Sequence, residues 1–124
     1  LIEFEITGEL PTMNEIVAAS KSHHLKYSTM KKRYTDLVAW SAMSAKLPII
    51  DHADFEIIWY CKNKKKDKDN ITAGQKFIFD GLVTAGVIAN DGWAQIGDVN
   101  HAFRLDKQNP RVVVRILEAS SRIC

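Results

Sequence analysis

The sequence predicts a single compact α/β (α+β) domain over residues 1–124, in the order β-α-β-α-β-β, with two helices and a mixed sheet. Three observations lead there. A length of 124 residues suits one hydrophobic core. Apolar residues make up 46% and charged residues 26%, a balance that excludes a mainly disordered chain. Strand-like alternation and helix-like periodicity succeed one another without a linker, repeat or low-complexity stretch.

Leu1 to Thr7 alternates, with Ile2, Phe4 and Ile6 on one face, as in a half-buried strand. Gly8 to Asn14 carries Gly8, Pro11 and Asn14 and reads as a turn or loop, and Glu15 to Tyr27, without a clear period, reads as loop with room for a helical turn. Ser28 or Thr29 can cap a helix to about Lys46, whose stripe is Met30, Tyr34, Leu37, Val38, Ser41 and Ala45; Pro48 ends it. Asp54 to Lys62 is aromatic and β-branched, hence a strand. Asp69 or Asn70 then opens a second helix to Ala85, closed by a left-handed Gly86, with Ile71, Ile78, Leu82 and Ala85 inward. Gln95 to Lys107 and Arg111 to Leu117 read as an antiparallel pair around Gln108-Asn109-Pro110. Trp40, Trp59 and Phe77 fall at periodic positions and are expected in the core, as is Cys61; Cys124 reads as a frayed terminus.

Several classes drop out early. No apolar run approaches the ~20 residues of a membrane-spanning helix, so no membrane partner is expected. The alternating acidic start, Leu1-Ile2-Glu3-Phe4-Glu5, is unlike a secretory leader. Cys61 and Cys124 lack the spacing of a zinc site or disulfide framework, which makes a reducing cytoplasm the expected location. A net charge of +2 is too small to argue for nucleic acid, so the placement of charge decides.

That placement is uneven. Lys62-Asn63-Lys64-Lys65-Lys66-Asp67-Lys68-Asp69-Asn70 sets two carboxylates one residue apart among five lysines, between a strand and a helix. Carboxylates are hard ligands for Mg²⁺ and lysines attract phosphates, a combination suited to phosphodiester cleavage. The plain alternative is a solvated loop with Asp69 as helix cap. A calcium loop is excluded, because counting from Asp67 puts Ile71, Thr72 and Ile78 where an EF-hand needs a ligand, a glycine and a glutamate. On a continuous helix, Asp69, Lys76 and Asp80 would share one face, either as a surface ladder or with Lys76 aimed at a phosphate. Asp91 lies in an Asn90-Asp91-Gly92 turn that needs no function, yet a short return from the helix would bring it near Asp67 and Asp69.

Together these segments resemble a family. Asp67-x-Asp69-Asn70, then Lys76-x-x-x-Asp80-Gly81-Leu82, then Ala85-Gly86-Val87-Ile88-x-Asn90-Asp91 is similar in order and spacing to the RusA-type Holliday-junction resolvases of phages and prophages. The typical patterns there are D-x-D-N, K-x-x-x-D-A-L and A-G-V-I-x-D-D. Leu10-Pro11-Thr12-Met13-Asn14 echoes the family's P-P-S-x-N. The resemblance implies a homodimeric, Mg²⁺-dependent endonuclease that binds branched DNA (the four-way junction) and nicks it symmetrically in recombination and repair. It places metal-binding, catalytic carboxylates at Asp67, Asp69 and Asp91 and the essential lysine at Lys76. Lys64, Lys65, Lys66, Lys68 and Asn14 would contact DNA. The chain departs from the pattern in three places: Ile71 to Gln75 lengthen the gap before Lys76, Asn90 replaces an acid, and Glu15 stands where a basic residue is common.

Further roles are open for other residues. Lys31, Lys32 and Arg33, and likewise His23 and His24, fit either a wider DNA footprint or a solvated surface, and Trp93 fits either a turn or stacking on an unpaired base. Two other classes compete with the enzyme: a non-catalytic branched-DNA-binding or recombination-accessory protein that retains the fold, and a dimeric phage interaction protein.

Overall fold

A computed structural model of the chain describes residues 2–118. The alternation at the start forms β1 (Ile2–Thr7), with Phe4 and Ile6 buried. The stretch expected as loop instead contains a helix, α1 (Met13–Ser22). Its cause is a capping box: the Thr12 hydroxyl accepts from the Glu15 amide, and the Glu15 carboxylate accepts from the Thr12 amide and hydroxyl. Helix α2 (His24–Ser44) begins before Ser28, because His23 accepts the Leu25 amide at 3.3 Å and serves as the cap.

Strand β2 (Ala53–Cys61) lies where expected. The expected single helix after Asp69 is broken into α3 (Lys68–Ile71), a 3-10 turn (Thr72–Gly74) and α4 (Gln75–Thr84). At the break, Gly74 packs so closely that an added Cβ would lie 3.0 Å from Leu10 and 3.1 Å from Trp59. Gly86 takes the expected left-handed conformation, φ 76°.

Strands β3 (Ile96–Leu105) and β4 (Arg111–Glu118) correct the expected hairpin. The sheet order is β1-β4-β2-β3. Strand β3 runs parallel to β2 on the outer edge, while β4 crosses over to lie antiparallel between β2 and β1. The crossing is pinned at its turn: the Asp106 amide donates to the Cys61 carbonyl, and the Asp106 carboxylate accepts from the Asn109 amide and the Arg111 guanidinium. The mixed α+β class holds.

Phe4, Ile6, Phe55, Ile57, Trp59, Val112, Val114 and Ile116 line one sheet face and pack on Val38, Ala42, Phe77, Ile78 and Leu82 of the helices. The other face is held by polar ladders. Arg115 pairs with Glu3 and Glu56, and Arg111 pairs with Glu5 while stacking on Tyr60. Trp40 is a further correction, since it is 68% exposed. The buried arc of α2 is Val38, Ala39, Ser41 and Ala42, mostly small residues that let α4 approach, and Trp40 points away from it. Ala45 is exposed and Cys61 only half-buried. Cys124 lies outside the described residues.

The close α2–α4 crossing gives a stability prediction. Gly81 abuts Val38 so tightly that a Cβ would overlap its side chain. Gly81→Ala should lower unfolding stability by about 1–3 kcal/mol through overpacking, read from urea denaturation.

A second prediction concerns pH. On the packed face of β3, His101 Nδ1 accepts a hydrogen bond from Trp59 Nε1 at 2.9 Å, which requires a neutral acceptor nitrogen. Burial lowers the imidazole pKa below its ordinary 6.5. The unfolded chain therefore binds the proton more readily. Its contribution to stability is intact above pH ~6.5 and is lost as the pH falls from there toward the lower folded pKa. Thermal denaturation between pH 7 and 5 should show His101→Gln losing less stability than the parent.

Candidate nuclease site

The end of β2 and the start of α3 carry the lysine-rich segment. Asp67 is the N-cap of α3, yet its side chain makes no capping hydrogen bond, and Asp69 follows in the first turn. Both carboxylates are exposed, at the rim of an open pocket of about 820 Å³ beyond the C-terminal ends of β2 and β3. Cys61, Ile71, Phe103 and Leu105 supply its apolar wall, and Lys64, Lys66, Lys68 and Arg104 its positive charge. The structure therefore brings Asp67 and Asp69 together with three of the predicted lysines.

The lysines are not equivalent. The Lys66 ammonium lies 3.9 Å from Glu9 and 3.7 Å from Glu15, so two carboxylates already balance it. Burial alone would raise the Glu15 pKa. Its hydrogen bonds with Thr12 and the nearby Lys66 charge outweigh that and hold the group below the usual range. This explains an acid at position 15: Glu15 closes the capping box and tethers the lysine loop. Lys68 sits over the Phe103 ring, 5.2 Å from its centroid. Lys65 does not line the pocket; its amide is tied to the Asn63 side chain at 2.9 Å. Asn14 reaches the site through its backbone, donating to Asn70 Oδ1 at 2.9 Å and so docking the start of α1 on α3.

Lys76 stands on α4 beyond the 3-10 turn, 3.8 Å from Asp80. That i,i+4 pair forms as expected, but the 3-10 turn interrupts the continuous helix on which Asp69 would share their face. Asp80 Oδ2 is buried without a hydrogen-bond partner, so the Lys76 ammonium is its nearest electrostatic support.

Asp91 lies elsewhere. It shares a surface pocket with His52, Gly92, Trp93, Ile96, Gly97 and Asp98, at the N-terminal ends of β2 and β3. Because β2 and β3 are parallel and pair from Ala53↔Ile96 to Cys61↔Leu105, the Asp91 turn and the Asp67–Asp69 pair occupy opposite ends of these strands. At ~3.3 Å per residue the separation along them is roughly 25 Å. The short return that would bring Asp91 to Asp67 within one chain does not form: Val87 and Ile88 are buried, and the Val87 carbonyl accepts from the Ile50 amide at the far end. Among the described residues, no three His, Cys, Asp or Glu side chains are grouped to hold an ion. The pair at 67 and 69 is nevertheless chemically suited to Mg²⁺, offering exposed oxygen donors that no capping bond engages at Asp67.

Arg104, Phe103 and Leu105 are pocket residues that sequence reasoning missed. Nothing local marks them, since only the parallel β2–β3 pairing brings them beside Asp67. Arg104 donates to the Phe103 carbonyl at 2.8 Å.

An acidic pair on a lysine- and arginine-lined pocket, carried at the end of a mixed sheet, has the chemistry that suits a phosphodiester ligand. Residues 8–117 match the family model for endodeoxyribonuclease RusA, and the chain belongs to that nuclease family. Among curated proteins no match is found. No helix among the described residues is long and apolar enough to cross a membrane.

Proposed function

We propose that the protein is a Mg²⁺-dependent endonuclease that nicks four-way DNA junctions as a homodimer, each site combining Asp67 and Asp69 of one subunit with Asp91 of the partner subunit. The observation that carries this reading is the exposed Asp67–Asp69 pair on a cationic pocket in a chain of a nuclease family. The strand geometry supports sharing between subunits. A two-fold axis beside the outer strand β3 would set the C-terminal end of one β2–β3 pair against the N-terminal end of the other.

Bound Mg²⁺ would supply a water of lowered pKa and offset charge on the scissile phosphate. The chain's own groups do the rest. Asp67 and Asp69 would hold the ion, together with Asp91 of the partner subunit. Lys76 donates to a non-bridging phosphate oxygen, and Asp80 fixes its reach. Lys64, Lys65, Lys68 and Arg104 grip flanking phosphates without reading sequence, a salt-sensitive contribution. Lys66 holds the loop through Glu9 and Glu15 as well as facing DNA. Two equivalent sites match the approximate two-fold symmetry of a four-way junction, so paired nicks fall on strands of like polarity.

Incubation with a synthetic four-way junction and Mg²⁺ tests the reading. Paired symmetric nicks, absent with EDTA and absent on linear duplex, are expected. Tight junction binding without cutting would favour the accessory protein, a reading that Asn90 supports. Failure to bind branched DNA at moderate salt would leave the interaction protein.

A further inference from the structure

Residues 62–67 lead from β2 into α3 without forming a strand or helix, and they bring Asp67 and Asp69 to the pocket rim. The segment 9–15 meets this loop at both of its ends. Where the loop begins, the Glu9 carboxylate accepts from the Lys62 amide at 3.3 Å. One residue before Asp67, the Lys66 ammonium pairs with Glu9 at 3.9 Å and Glu15 at 3.7 Å. One residue after Asp69, Asn70 Oδ1 accepts from the Asn14 amide at 2.9 Å. The segment is itself fixed: Leu10 and Thr12 are buried, and the preceding Gly8 amide donates to the Pro110 carbonyl at 2.9 Å. We infer that segment 9–15 braces the carboxylate pair, with Glu15 as a positioning residue that keeps Lys66 off Asp67 and Asp69 and leaves them free for a divalent cation. The inference deepens the nuclease reading and rests on it.

Competition for the pair is the physical reason. Lys66 lines the same pocket as Asp67 and Asp69. An ammonium tethered one residue from Asp67 is a counter-ion at high effective concentration, and a cation entering the pair must displace it. Glu9 and Glu15 give that ammonium other partners. Glu15 is suited to the task because its Oε1 also accepts from the Thr12 amide at 3.2 Å and the Thr12 hydroxyl at 3.0 Å. Its side chain is therefore ordered before Lys66 arrives, which reduces the entropy lost on pairing. A basic residue at position 15 would instead repel Lys66 and drive it toward Asp67. The acid at this position and the lysine at 66 thus act as one device, separate from the groups that hold the cation.

The test is Mn²⁺ binding to the full chain without DNA, read from the electron paramagnetic resonance of the free ion. Glu15→Gln is the informative variant. A glutamine three residues after the cap still completes the capping box, so circular dichroism and thermal unfolding should stay close to the parent while the charge is gone. Mn²⁺ affinity should fall about threefold, the scale of one exposed ion pair. In a Lys66→Met background the same change should have no effect, because the competing ammonium is absent. Equal losses in both backgrounds would make Glu15 no more than a distant negative charge and overturn the inference. Parent affinity in Glu15→Gln overturns it too, as does Mn²⁺ binding that Asp69→Asn does not reduce. Junction cleavage on the same preparations keeps the two readings apart. A protein that couples 15 to 66 but never nicks loses the nuclease reading and keeps the brace, and one that nicks without the coupling does the reverse.

Discussion

Asp69→Asn should abolish junction cleavage while leaving junction binding near the parent level. The substitution keeps the shape of the side chain and removes its charge, so an oxygen ligand for Mg²⁺ becomes a weak neutral one. Disturbing a group that merely orients a metal ligand costs ~10–100-fold. Loss of a ligand itself should exceed that, leaving single-turnover nicking at least on the order of 100-fold slower. Asp67→Asn should behave alike. Binding should persist because the proposed phosphate contacts are those of Lys64, Lys68 and Arg104, and removing a negative charge from their midst cannot weaken them. Folding should persist too. Asp69 is exposed, and Asp67 caps α3 without a side-chain bond, so each change should stay within about 0.5 kcal/mol of the parent. Asp80→Asn provides the contrast. Its Oδ2 is buried beside Lys76, so the change should be felt in unfolding as well as in cleavage. Gel-shift and cleavage assays on one preparation separate these outcomes, and an Asp69→Asn protein that still nicks at the parent rate would remove the carboxylate pair from the chemistry.

What could be read along the chain was whatever short-range pattern encodes. The alternation in Ile2, Phe4 and Ile6 and the branched, aromatic run from Phe55 to Trp59 name their strands because period 2 is a local property. The Asp67–Asp69 pair is equally local and lies with Lys64, Lys66 and Lys68 on one pocket. Helix α1 was missed because its signal is a four-residue capping box, Thr12 to Glu15, on a weakly periodic segment with one buried residue, Ala19. The break at Gly74 was missed because its cause is contact with Leu10 and Trp59, both remote in sequence. Pairing is the least local property of all. Strands β3 and β4 look like a hairpin across Gln108-Asn109-Pro110, but β4 has more to gain between β1 and β2. There Val112, Val114 and Ile116 complete the core, and Arg111 and Arg115 find Glu5, Glu3 and Glu56. With β3 thereby left parallel to β2, Asp91 is carried to the far end of the sheet. A motif that is contiguous in order along the chain is divided in space.

That division leads to the most discriminating expected result. Asp69→Asn and Asp91→Asn should each be inactive alone, and mixing the two purified variants under conditions that allow subunit exchange should restore nicking. In a mixed dimer with shared sites, one site takes Asp67 and Asp69 from the Asp91→Asn chain and Asp91 from the Asp69→Asn chain, so it is whole. The other site carries both substitutions. Random exchange makes half the dimers mixed, each with one working site, so nicking should recover to about a quarter of the parent rate per chain. Because the second site stays dead, the product should be a singly nicked junction rather than a resolved one. If each subunit instead gathered its own Asp67, Asp69 and Asp91, both sites of every mixed dimer would lack a carboxylate and the mixture would remain inactive. The roughly 25 Å run of β2 and β3 between the two clusters argues for recovery.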